Sequence, residues 1–213
     1  LELLKKVGMP LRPFLLNLKQ EQKKILSVLS LAKYKPIIVE RTIDPKLLGL
    51  NRKGYLNGHT PFSAYLAFLA VLEAVLFNYK YIAFSNERSS NEGNVKYKGM
   101  KINHQYSKSF EFEKKFREYS AKYLAKDIEY FSFLRPLYEL QIAKIFARHP
   151  KYFSVFLSCN EAHKTYSGMK PAFALRQAQG YGEARWCGKC AKCLFVFLVL
   201  SPFLEERQLV NIF

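Results

Sequence analysis

Seven residues near the C-terminus, Cys187-Gly188-Lys189-Cys190-Ala191-Lys192-Cys193, constrain this chain of 213 residues more than any other stretch. Two-residue spacings let successive thiolates turn around one centre, and Cys159 supplies a fourth sulfur from the end of the preceding apolar run. Four thiolates satisfy a tetrahedral zinc ion with no position left open, which makes the expected site structural. Lys189, Lys192 and the start of a helix would stabilise the thiolates. The same run with a remote cysteine also suits an iron–sulfur cluster, and buried free thiols are the plainest alternative. Zinc is preferred because nothing else in the chain suggests redox chemistry.

If Cys159 and Cys187 share a site, the stretch between them is an excursion. Residues 163–185 carry Ser167-Gly168, Arg176-Gln177-Ala178-Gln179 and Gly180-Tyr181-Gly182 with little apolar periodicity. They read as a mobile, dispensable surface loop inserted in one domain spanning 1–213. Elsewhere short apolar runs alternate with helical ones. Leu1 to Val7 reads as the end of a helix stopped by Gly8 and Pro10, and 13–18 as a strand. Residues 20–33 read as a helix, with Ile25, Val28, Leu29 and Ala32 at its spacing, and Ile37-Ile38-Val39 as a strand. Thr60-Pro61 predicts the N-cap and first turn of an apolar helix through Asn78. A strand at 81–85, a polar loop from Asn86 to about Lys101, helices at 107–125 and 137–148, a strand at 153–158 and a helix at 190–200 complete the pattern. Strands alternating with helices predict crossover units around a mostly parallel sheet, with ligands beyond the carboxyl ends of the strands.

Composition narrows the class of partner. The chain is 49% hydrophobic with 18 Phe and 14 Tyr, which excludes a disordered or collagen-like polymer. A formal charge of +17 favours an anionic partner, whether nucleotide, nucleic acid or lipid headgroup. The longest apolar stretch, Phe62 to Phe77, is short for a membrane span and interrupted by Glu73, so no membrane insertion is expected. The start, Leu1 to Pro10, lacks an initiator Met and a long apolar core and so does not resemble a secretory signal; the expectation is a cytoplasmic protein whose natural N-terminus has been lost.

Four loops concentrate polar residues where such a sheet would present them. Asn57-Gly58-His59 precedes the long apolar helix and offers amides for a phosphate or carboxylate. Ser85-Asn86-Glu87-Arg88 follows a buried strand; Glu87 suits Mg²⁺ or base chemistry, and Arg88 a carboxylate or phosphate. Asn103-His104-Gln105-Tyr106-Ser107 precedes a helix that Ser107 would cap, with His104 and Tyr106 both able to exchange protons. Arg135 stands at the mouth of a helix begun by Pro136. Solvated turns and caps explain each of these loops when taken singly. Neither a G-x-x-x-x-G-K-[ST] nor a G-x-G-x-x-G motif occurs.

Taken in order, Asn57-Gly58-His59, Phe84-Ser85-Asn86-Glu87-Arg88-Ser89, Asn103-His104-Gln105-Tyr106-Ser107-Lys108-Ser109, Leu134-Arg135-Pro136-Leu137, Ser158-Cys159-Asn160 and Trp186 to Cys193 resemble the bacterial UDP-N-acetylmuramoyl-L-alanyl-L-glutamate epimerases. The resemblance runs from about residue 50 to the C-terminus, apart from the inserted loop. More broadly the chain resembles ATP pyrophosphatases of the adenine-nucleotide α-hydrolase-like group, which implies a three-layer Rossmann-like α/β fold. It implies ATP-dependent inversion of the terminal L-Glu of UDP-MurNAc-L-Ala-L-Glu through an acyl-adenylate, with AMP and diphosphate released. His104 and Tyr106 are then the first choice for proton transfer, and Glu87 a metal ligand or alternative base. Arg88 and Arg135 would hold phosphate or carboxylate, with Asn57, Gly58, His59, Ser85, Asn86, Gln105, Ser107 and Asn160 lining the site. ATP, Mg²⁺ and a structural Zn²⁺ on Cys159, Cys187, Cys190 and Cys193 are the implied cofactors. The Ser-Gly-Gly-x-Asp-Ser pyrophosphate loop of that group is expected upstream of Leu1. The rival readings are an RNA-modifying ATP pyrophosphatase and a noncatalytic basic nucleic-acid-binding module.

Overall fold

The computed structural model describes residues 1–17, 23–56, 61–159, 161 and 186–213. They fall into two compact units, Leu1–Ile43 with Ala143–Phe213, and Asp44–Ile142. The first unit opens with a short helix α1 (Glu2–Lys5), whose following turn ends at Gly8 in the left-handed region, φ +74°. Strand β1 (Phe14–Leu16) and strand β2 (Ile37–Val39) then pair in parallel, Phe14 opposite Ile37, across helix α2 (Lys23–Leu31). Parallel neighbours need such a crossover because a hairpin cannot reverse the chain twice.

The second unit begins with α3 (Pro45–Arg52), started by an Asp44 cap and Pro45. Helix α4 (Phe62–Leu76) buries Ala67, Ala70, Val71 and Ala74, the i, i+3, i+4, i+7 stripe that a helix presents to one side. Strand β3 (Tyr81–Phe84) follows, then a hairpin of β4 (Val95–Tyr97) and β5 (Met100–Ile102), closed by Lys98-Gly99 with both residues at positive φ. That is the backbone twist a two-residue hairpin turn demands. Helix α5 (Phe110–Tyr123) crosses back to β6 (Glu129–Ser132), which pairs in parallel with β3. Phe116 seals this core, edge-on to Phe68 at 5.0 Å and to Tyr130 at 4.9 Å. Helix α6 (Glu139–Phe146) runs out of the unit.

The first unit resumes with Ala143, Trp186, Leu200, Leu209 and Ile212 buried together with Cys159 and Cys193. Its last helices are α7 (Ala191–Leu200) and α8 (Glu206–Ile212), the latter started by a Glu205–Gln208 capping box.

The molecule is thus a mixed α/β protein with small parallel sheets. Among the described residues the strands form two parallel pairs and one antiparallel hairpin, where one larger sheet was expected. Residues 153–158, read as a strand, instead follow a 3₁₀ turn (Pro150–Tyr152) and keep turning, with Val155 and Phe156 N–H both bonded to the Tyr152 carbonyl. Phe153 and Phe156 are three apart and both face Phe146, a helical spacing rather than a strand's. The polar loop expected from Asn86 to Lys101 contains a 3₁₀ turn (Arg88–Asn91) and the hairpin. Pro61 rather than Thr60 stands at the cap of α4. No helix among the described residues is long and apolar enough to cross a membrane.

Candidate functional site

In the second unit, the stretches 87–91 and 108–113, together with Ser132, are tied to one guanidinium. Arg135, just past the carboxyl end of β6, donates from one terminal nitrogen to the Glu87 carbonyl (3.0 Å), Ser90 Oγ (2.9 Å) and Asn91 Oδ1 (3.4 Å). From the other it donates to the Lys108 carbonyl (2.7 Å), Ser132 Oγ (3.2 Å) and Glu113 Oε2 (3.1 Å). The planar fork of Arg suits this many fixed acceptors where Lys would not. Ser90 Oγ donates to the Glu87 carbonyl at 2.6 Å, and buried Asn86 donates from Nδ2 to Ser132 Oγ at 3.0 Å. Asn103 Nδ2 donates to the Ser90 carbonyl at 2.8 Å.

This lattice frames an open cleft of about 520 Å³ lined by Arg88, Asn91, Asn103, Tyr106, Ser109, Phe110, Glu111 and Arg135. Arg88 lies over the Tyr138 ring at 5.2 Å, and the Tyr106 hydroxyl accepts from Lys115 at 3.4 Å. Lys115 also pairs with Glu111 at 2.7 Å, which holds the Glu111 carboxyl below its ordinary value and the Lys115 ammonium above its own. His104, two residues before Tyr106, is exposed, with Nδ1 2.7 Å from Asn94 Oδ1. The Glu87 side chain is half-buried, and its carboxylate has no hydrogen bond or ion pair among the described residues.

In the first unit the Sγ atoms of Cys159, Cys187, Cys190 and Cys193 all lie within 4.8 Å of one another. Separations are 3.9 Å for Cys159–Cys190, 3.7 Å for Cys187–Cys193 and 3.4 Å for Cys190–Cys193. Gly188, at φ +67°, makes the reversal that brings the Lys189 N–H onto Cys187 Sγ at 3.4 Å. Cys190 caps α7 and accepts from the Cys193 N–H at 3.4 Å. Burial, with neighbouring thiols adding to it, pushes the Cys193 thiol up to about 12. Four sulfurs at this spacing could hold a metal ion, and a cation is what would let them ionise together.

The structure therefore brings Asn86, Arg88, Gln105, Tyr106 and Arg135 into one polar region of the second unit, with Glu87 and His104 at its margin. Ser85 is exposed directly after β3. Ser107 sits inside a 3₁₀ turn (Tyr106–Lys108), and the cap of α5 is Ser109, accepting from the Phe112 N–H at 3.1 Å. The turn consumes the position where Ser107 would have capped. Asn57, Gly58, His59, Asn160 and the 163–185 stretch lie outside the described residues. Sequence reading did not single out Ser90, Asn91, Asn94, Glu113 or Ser132. The available signal was Glu113, an acid in step with Phe116 and Ser120 on the buried stripe of α5.

Comparison with known proteins gives matches along most of the chain. Residues 1–133 match the MurL N-terminal domain family, and residues 155–213 match the MurL C-terminal domain family. A UDP-N-acetyl-alpha-D-muramoyl-L-alanyl-L-glutamate epimerase of Xanthomonas oryzae pv. oryzae is 41% identical over 82% of this chain and 36% of its own length. Proteins of the same name from a Micromonospora strain and from Salinispora tropica are 38% and 37% identical over the whole chain, covering 44% and 43% of themselves. The chain thus spans less than half the length of these curated relatives. No solved structure matches it.

Proposed function

The chain belongs to the MurL family, and on that premise we propose that it serves the ATP-dependent inversion of the terminal L-glutamate of UDP-MurNAc-L-Ala-L-Glu to D-glutamate. This is a step of peptidoglycan precursor synthesis in the cytoplasm, where a nucleotide-activated substrate is made and consumed. The observation that carries the reading is the gathering of Arg88, Asn91, Asn103 and Tyr106 around one cleft, with His104 on the same turn as Tyr106.

The α-hydrogen beside a carboxylate is very weakly acidic. ATP would supply the activation, since adenylation of that carboxylate acidifies the hydrogen and hydrolysis of the acyl-adenylate makes the cycle irreversible. His104 and Tyr106 take and return the proton from opposite faces of the α-carbon, the two-base logic that inversion requires. Arg88 binds phosphate or substrate carboxylate, while Arg135 holds the surrounding backbone in place and adds positive potential to the cleft wall. Glu87, with its carboxylate uncommitted, is the candidate Mg²⁺ ligand or alternative base. The wider fold proposed is the three-layer Rossmann-like arrangement of ATP pyrophosphatases.

We assign zinc to the four cysteines. Tetrahedral thiolates about 2.3 Å from one ion stand about 3.8 Å from each other. The three sulfur pairs at 3.4–3.9 Å support that fit. An iron–sulfur cube, with each cysteine on a different iron, spreads the sulfurs wider. Its role is structural, and no step of the reaction passes through it.

The test is to incubate the full-length protein with ATP, Mg²⁺ and UDP-MurNAc-L-Ala-L-Glu, then measure AMP and the chirality of the glutamate. AMP together with D-Glu is expected, with inversion abolished in His104→Gln. Neither product, or AMP without inversion, overturns the reading.

A further inference from the structure

We propose that Asn94 is a positioning residue that fixes the proton on His104, and that the β4–β5 hairpin is the device that delivers it. The inference rests on the role given to His104 above. Asn94 immediately precedes β4, and its N–H donates to the Ile102 carbonyl at 3.0 Å, closing the open end of the hairpin. That bond brings residue 94 beside the turn that follows β5. There Asn94 Oδ1 accepts the His104 backbone N–H at 3.2 Å and lies 2.7 Å from His104 Nδ1.

Two contacts on one atom decide the chemistry. An atom that accepts a backbone N–H is the amide oxygen and not its NH₂ group, and an amide oxygen only accepts. Nδ1 must therefore be the donor and carry the hydrogen. The lone pair of the neutral ring then sits on Nε2, which has no partner among the described residues. A neutral imidazole free in water prefers the opposite tautomer, with hydrogen on Nε2. Asn94 reverses that preference and leaves Nε2 ready to take a proton, which the ring stores while Nδ1–H stays in place. The hairpin is otherwise hard to account for by packing, since all six of its strand residues are exposed.

The proposal is tested by ¹⁵N spectra of histidine-labelled full-length protein above the titration range, with His104→Gln used to assign the His104 signal. His104 is expected as the Nδ1–H tautomer. Asn94→Ala should convert it mainly to Nε2–H, and Asn94→Asp, whose carboxylate still accepts, should keep Nδ1–H. In the epimerase assay Asn94→Ala should lower kcat about tenfold at unchanged KM, with Asn94→Asp recovering most of it. An Nε2–H tautomer in the unaltered protein, or Nδ1–H persisting in Asn94→Ala, overturns the inference. So does a converted tautomer with undiminished kcat. Failure of the underlying reading looks different: His104→Gln would then invert substrate normally while the tautomer still answered to Asn94.

Discussion

Glu113 and Arg135 show how much one side-chain pair can hold. Glu113 is 6% exposed and Arg135 14%, so removing one partner leaves the other charged in a poorly solvated place. Glu113→Ala is expected to destabilise the fold by about 3 kcal/mol, read from urea unfolding, and to loosen the segments that Arg135 ties together. Arg135 was singled out from its place before Pro136, as a holder of phosphate or carboxylate; its partner was missed, since among Glu111, Glu113 and Glu118 of α5 only the step of Glu113 with Phe116 and Ser120 marks the one that faces inward. In the other unit Glu2 accepts from the Tyr152 hydroxyl and pairs with Lys151 at 2.9 Å and Lys5 at 3.4 Å. Tyr152 first, then Lys151, hold its carboxyl down at about 2, against an ordinary 4.5. A depressed carboxyl contributes stability that is complete above its unfolded value and lost as pH falls through its folded one. Acid unfolding should therefore steepen between pH 4.5 and 2, and Glu2→Gln should flatten that interval in a pH series of melting temperatures.

At the scale of elements, most helices and three of the strands can be read from apolar spacing, whereas strands interrupted by polar residues escape it. Strand β6 and the hairpin strands are no shorter than β1 and β2, but they read Glu-Tyr-Phe-Ser, Val-Lys-Tyr and Met-Lys-Ile, so no unbroken apolar run marks them. Helix starts depend on details finer than residue type. Ser107 and Ser109 have the same capping chemistry, and the 3₁₀ turn closing on Gln105 and Tyr106 carbonyls selects the second. Ser109→Ala should cost about 1 kcal/mol and Ser107→Ala less than about 0.5, measured side by side by thermal melting. The gathering of the four cysteines was legible for the opposite reason, since their spacing alone brings the sulfurs together and Gly188 marks the reversal.

For the molecule as a whole, the cysteine cluster lies against the single tryptophan, Trp186, which packs 5.1 Å from Phe156 and 4.6 Å from Phe213. Elemental analysis should give one zinc per chain. Its removal by a strong chelator, or Cys193→Ser, should red-shift Trp186 fluorescence and melt the unit built around Leu200 and Leu209. A chain with net charge +17 should also bind the nucleotide-activated substrate proposed for it less well as salt rises, seen as KM increasing with ionic strength at nearly constant kcat. The tie made by Arg135 has a consequence for biosynthesis. A ribosome delivers residues 87–113 first, so the loops that frame the cleft emerge before the side chain that pins them. A nascent chain halted short of residue 135 carries the His104 and Tyr106 turn without its clasp. The cleft is therefore completed only once residue 135 has been made, by a single arginine arriving after everything it fastens.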